Sequence, residues 1–92
     1  MGKIAISFYG GLTKITGEKT TFIEALTLKD AINALTEKYG EPFKTRLYDD
    51  KGNLTRFVNI YVNGKDVRYL GGLHASLKES DGVSFIPAVG GG

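Results

Sequence analysis

Between Lys3 and Tyr9 the chain alternates: Ile4, Ile6 and Phe8 on one parity, Ala5, Ser7 and Tyr9 on the other. A period of two puts each set on its own face, which predicts a half-buried strand. Gly10-Gly11 breaks it, and Leu12 to Gly17 reads as a loop with room for one helical turn. Lys19 to Ala25 is β-branched and aromatic and predicts a second strand, joined to the first as an antiparallel hairpin. The period changes at Thr27. Leu28, Ala31, Ile32, Leu35 and Tyr39 recur at helical spacing and share one stripe, so the spacing predicts a helix over 27–39. Thr27 suits its N-cap and Asp30 its first turn, Gly40 suits the residue past its end, and Pro42 prevents continuation.

Phe43 to Tyr48 reads as a second, short helix, and Asp49 to Asn53 as a turn-forming loop. Phe57 to Val62 carries the clearest strand pattern, with Val58, Ile60 and Val62 on one face and Phe57, Asn59 and Tyr61 on the other. Asn63-Gly64 is the favoured pair of a tight hairpin turn, and Val67 to Leu70 is expected to return as a short strand. Gly71-Gly72 turns the chain, Leu73 to Leu77 reads as a helical turn, and Val83 to Pro87 as the last strand. Strand, strand, helix, strand, short strand, strand is an α+β order in which one main helix covers a mixed sheet of four or five strands. The expected organisation is one domain over 1–87 and a glycine tail over 88–92.

Composition removes several function classes. The chain has 92 residues and no Cys, so it holds no disulfide, thiolate nucleophile or Cys-ligated metal. Its single His excludes a His-rich metal centre. Twelve basic and ten acidic residues give a net charge of +2, and they alternate along the chain, as at Lys29 with Asp30 and Lys65 with Asp66. Nucleic-acid binders gather basic residues into a stripe, so no nucleic-acid partner is expected. No apolar run approaches the roughly 18 residues of a membrane span, and the first residues lack the apolar core of a secretion signal. A cytoplasmic location away from membranes is expected.

Conventional chemistry finds little footing. Ser76, His74 and Asp81 include the residue types of a nucleophilic triad but crowd into eight positions without a cleft to orient them. Neither common glycine-rich phosphate loop is present. The end of the sequence is different, because VSFIP runs straight into AVGGG. Three glycines reach about 10 Å when extended. Lacking Cβ atoms, they can thread a narrow channel and present a backbone carboxylate inside another protein. Such a carboxylate can attack the α-phosphorus of ATP to give an acyl-adenylate, and sulfide or a persulfide can then displace AMP. A frayed glycine-rich end with no role is the competing reading.

The segment from Arg56 to Gly92 resembles the MoaD/ThiS-type sulfur carriers, which are ubiquitin-like β-grasp proteins. The resemblance rests on FVNIYVN, on DVR followed by GGL, and on FIPAV before the glycines. Within that family it is most similar to the branch that supplies sulfur for cysteine synthesis. The resemblance implies a sulfur carrier rather than an enzyme. Gly91-Gly92 match the terminal diglycine, and Gly92 would carry the adenylate and then the thiocarboxylate. Gly90 departs from the pattern, where Ala, Ser or Thr is expected. Gly90 and Gly91 would occupy the partner's channel. The implied partners are an E1-like adenylating enzyme, a sulfur donor enzyme and an acceptor synthase. No cofactor would be bound, and ATP would be used by the activating partner.

Ordering a five-residue tail costs roughly 1–2 kcal/mol per residue, so the folded body must supply docking energy through an apolar patch. Phe57 and Tyr61 are the candidate docking residues; the alternative is that they pack under a loop. Three other functions share the same features: the small subunit of molybdopterin synthase, a ubiquitin-like modifier of protein lysines, and an interaction module with an incidental tail.

Overall fold

The computed structural model describes residues 3–88. The elements are β1 (Lys3–Phe8), α1 (Leu12–Thr16), β2 (Thr20–Glu24), α2 (Leu28–Tyr39), α3 (Glu41–Leu47), β3 (Val58–Val62), β4 (Lys65–Asp66) and β5 (Gly82–Pro87). The strands form one mixed sheet in the order β2-β1-β5-β3-β4. β1 and β5 run parallel, while β2 on β1, β3 on β5 and β4 on β3 are antiparallel. This is the ubiquitin-like β-grasp arrangement expected from the element order and the resemblance.

The alternation decides which face is covered. Ile4, Ile6, Phe8, Val58, Ile60, Val62, Val83 and Phe85 are all buried. They pack with Leu28, Ala31, Ile32 and Leu35 of α2 and with Phe43 and Leu47 of α3. Phe8, Tyr39, Phe43 and Phe85 form an aromatic cluster with ring centroids 5.6–6.0 Å apart. Phe8 meets Tyr39 and Phe43 edge to face, the arrangement the ring quadrupoles favour.

The start and stop of α2 follow the sequence. The Thr27 hydroxyl accepts the Asp30 N–H at 3.2 Å, and Gly40 takes φ +86°, a backbone conformation that a side chain would strain. A second tie fixes the far end of α2. Tyr39 donates its hydroxyl proton to Glu18, Lys38 pairs with Glu18 at 3.2 Å, and Lys38 also donates to the buried Thr21 hydroxyl at 2.6 Å. Burial, and then the bond to Glu18, push the Tyr39 hydroxyl up to about 12. The Tyr39 bond, with help from Lys38, holds the Glu18 carboxyl below its usual range.

Two local expectations need correcting. The return strand after Asn63-Gly64 lies at Lys65–Asp66, and Val67–Tyr69 is a 3₁₀ turn rather than a strand. The two-residue turn puts pairing immediately at Lys65, opposite Val62. The Asp66 carboxylate then accepts the Arg68 N–H at 2.8 Å and coils the chain, which sends Val67 into the core. The helical turn expected over 73–77 is a single 3₁₀ turn at Gly72–His74, with Leu77 buried beyond it.

Candidate functional site

The tail root is built from the sheet's central strand. β5 lies between β1 and β3, so its last residues are held from both sides. The Tyr9 N–H donates to the Phe85 carbonyl at 3.1 Å, and the Ala88 N–H donates to the Phe57 carbonyl at 2.8 Å. Pro87 closes the strand opposite Val58. Its fixed φ makes it stiff, and at the strand's last position its missing N–H costs the ladder little. Gly10 crosses above it at φ +57°, where an added Cβ would stand 3.2 Å from Pro87 Cγ. Pro87 and Ala88, the last described residues, are therefore held in a fixed gate between Tyr9-Gly10 and Phe57. Gly90, Gly91 and Gly92 lie outside the described residues.

Beside the gate is the uncovered face of the sheet. Register sets Ser7 beside Thr20 and Ser84, Ser84 beside Tyr61, and Ile86 beside Asn59. Together with Ala5 these side chains make a central surface without charges. Tyr9, 48% exposed, and Phe57, 54% exposed, border it on the side where the chain leaves. Phe57 stands in solvent next to the gate and does not pack under a loop. Tyr61 is half-buried on the open face, two positions from Asn59. A shallow hollow of about 570 Å³ adjoins, lined by Ser7, Tyr9, Gly10, Thr13, Lys19 and Thr20.

Ser76, His74 and Asp81 form no catalytic arrangement. Asp81 accepts from Asn63 Nδ2 at 2.9 Å and from the Lys78 N–H at 2.8 Å, which hold its carboxyl below the usual range. It thereby ties the β3–β4 turn to the start of β5. Among the described residues no cluster of His, Asp and Glu could hold a metal ion, and no helix is long and apolar enough to cross a membrane.

The sequence pattern of the ThiS family matches residues 6–92, the sheet and the tail together. The chain belongs to the ThiS family. Among ThiS-family relatives, the sulfur carrier protein CysO of Mycobacterium bovis is 42% identical over 78 residues, covering 83% of each chain. Small archaeal modifier protein 3 of Haloferax volcanii is 28% identical over 93 residues, covering 98% of this chain and 99% of the relative. A chain in the crystal structure of the Amycolatopsis orientalis BexX/CysO complex superposes with a TM-score of 0.85 at 36% identity, covering 97% of this chain and 99% of that one. The resemblance seen in FVNIYVN, DVR and FIPAV is thus one of family membership, and the open face and gate are parts of a ThiS-family fold.

Sequence reasoning missed two parts of this site. Gly10 read as a simple turn, and its contact with Pro87 spans the whole chain in sequence. Tyr9 read as an ordinary outward strand residue; its proximity to Phe57 depends on the strand order, which periodicity does not encode.

Proposed function

We propose that this chain is a sulfur carrier. The Gly92 carboxylate is adenylated by an E1-like enzyme with release of pyrophosphate; sulfide-level sulfur then attacks the acyl carbon, the C–O bond to AMP breaks, and AMP departs to leave a thiocarboxylate for biosynthetic transfer. The observation that supports this most is the combination of CysO-like sequence with a glycine stretch that follows a rigid gate. An anchored root keeps the ordering cost to the tail itself. The uncharged face supplies the docking energy: Phe57 and Tyr61 are its anchors, and Tyr9 and Ile86 extend the same patch. Gly90 and Gly91 pass through a channel too narrow for side chains. Cysteine synthesis is the preferred destination of the sulfur, because the CysO relative is 42% identical to this chain, against 28% for the archaeal modifier protein. The chain's own role is that of a cosubstrate, and the ATP chemistry belongs to the activating enzyme.

Co-production with the E1-like enzyme of the source organism, followed by intact-mass measurement, tests the proposal. The expected product is heavier by the exchange of one oxygen for sulfur, and deleting Gly92 removes it without lowering the thermal midpoint. A chain that yields neither adenylate nor thiocarboxylate with that enzyme overturns the reading. The Haloferax relative, named a modifier protein, favours a second reading in which a lysine amine attacks the activated Gly92. Target peptides bearing a Gly-Gly remnant would support that one.

A further inference from the structure

Two arginines beside the gate have no counter-ion among the described residues. The Leu47 carbonyl accepts the Thr55 N–H at 2.8 Å, which ties the end of α3 to the segment entering β3. Arg46 precedes Leu47 and Arg56 follows Thr55, so the bond brings both to the end of the molecule where the chain leaves. The Arg46 guanidinium reaches across the Gly10-Gly11 turn, with Nη2 3.6 Å from where a Gly11 Cβ would stand. Gly10 in turn contacts Pro87. On the other side Arg56 lies over the Phe57 ring, 5.7 Å from its centroid, and the Phe57 carbonyl holds Ala88. The gate is thus flanked by a guanidinium on each side.

The chain's third arginine is neutralised within the fold: Arg68 forks onto Asp66 at 2.6–3.2 Å. Among the described residues neither Arg46 nor Arg56 has a carboxylate within 4.0 Å. The last turn of α3 favours a cation at Arg46, and an aromatic face favours one at Arg56, but both local roles could be met by lysine. Two uncompensated arginines on one rim instead suit bidentate, planar acceptors that arrive from outside.

Resting on the carrier reading, we propose that the gate docks against an acidic protein surface, and that Arg46 and Arg56 pair with carboxylates at the mouth of the activating enzyme's tail channel. The uncharged face gives adhesion, while the arginines set orientation and speed of encounter. Val89 to Gly92 can span at most about 14 Å, so the reacting carboxylate can work beyond the arginines while they stay at the rim. They are positioning residues, and they affect association rather than the chemical step.

ATP–pyrophosphate exchange by the E1-like enzyme of the source organism, with the full-length chain as substrate, is the test. The double variant R46E/R56E is expected to raise KM about tenfold or more at low salt, with kcat unchanged and the thermal midpoint lowered by only a few degrees through the lost helix-end and ring contacts. At about 0.5 M salt, where charges a few ångströms apart are screened, the difference from wild type should largely close. R56K keeps the charge but loses the planar fork, so it should raise KM by a smaller factor than the double variant. An unchanged KM in the double variant, or a rise that salt does not relieve, overturns the acidic-rim proposal and leaves the carrier reading standing. A wild-type chain that the enzyme never adenylates overturns both.

Discussion

The two faces of the sheet are made from the same strands yet serve opposite ends. On the helical face, alternate residues from β1, β3 and β5 meet α2 and α3 in a core whose aromatic side chains lie within 6 Å of one another, ring centre to ring centre. On the open face the central residues are Ala5, Ser7, Asn59, Tyr61, Ser84 and Ile86, with Tyr9 and Phe57 toward the rim. The first face specifies the fold. The second is left partly solvated, so a partner can cover it without disturbing what lies beneath. On the proposed carrier reading, stability and recognition are separable by residue parity along a strand.

Substitutions can break that separation where it is strongest. Phe43→Ala removes a fully buried ring from the aromatic cluster and should cost about 3–5 kcal/mol, read as a lower urea midpoint. Gly10→Ala forces a side chain into a left-handed backbone and against Pro87. A loss of about 1–3 kcal/mol is expected, with slower adenylation because the gate shifts as well. Tyr39→Phe deletes the hydroxyl that reaches Glu18 and should cost about 0.5–1.5 kcal/mol.

The same substitution sharpens the comparison through pH. In the folded protein Tyr39 holds its proton up to about 12, against 10 ordinarily. Its contribution is complete below pH 10 and is lost as pH climbs from 10 towards 12. Tyr39→Phe should abolish that part of the alkaline decline in thermal midpoint. Glu18, Asp66 and Asp81 are shifted the other way, to below their ordinary values of 4.5, 3.8 and 3.8. Their contributions are full above those values and fade as the solution is acidified through the lowered ones.

The smallest effect on folding should come from the open face. Phe57→Ala with Tyr61→Ala is expected to change unfolding free energy by no more than about 1 kcal/mol, since Phe57 stands in solvent and Tyr61 is half-exposed. The same pair should sharply raise KM for adenylation. A large loss of stability instead would show that the open face carries part of the core's work.

Much of this was legible in the chain, at points where local and global preferences agree. The stripe from Leu28 to Tyr39 with Thr27 before it and Gly40 after it located α2, and the parity of Val58, Ile60 and Val62 separated core from open face. Diglycine after FIPAV pointed to the tail. What could not be read depends on contacts distant in sequence. The parallel pairing of β1 with β5 unites the two ends of the chain, and only that pairing puts Gly10 over Pro87 and Tyr9 near Phe57. At Val67, a β-branched residue at a strand-like position, the capping carboxylate of Asp66 overrode propensity. Arg46 and Arg56 lie ten positions apart in sequence, and only the Leu47–Thr55 bond brings their neighbourhoods together.

The late position of β5 has a consequence for biogenesis. β1 and β3 do not pair with each other; both wait for a strand that the ribosome makes after all the others. A nascent or prematurely terminated chain has two separate hairpins and an exposed seam between them, and such unsatisfied strand edges invite proteolysis and aggregation. The paired sheet thus forms only once the strand bearing the gate has been synthesised.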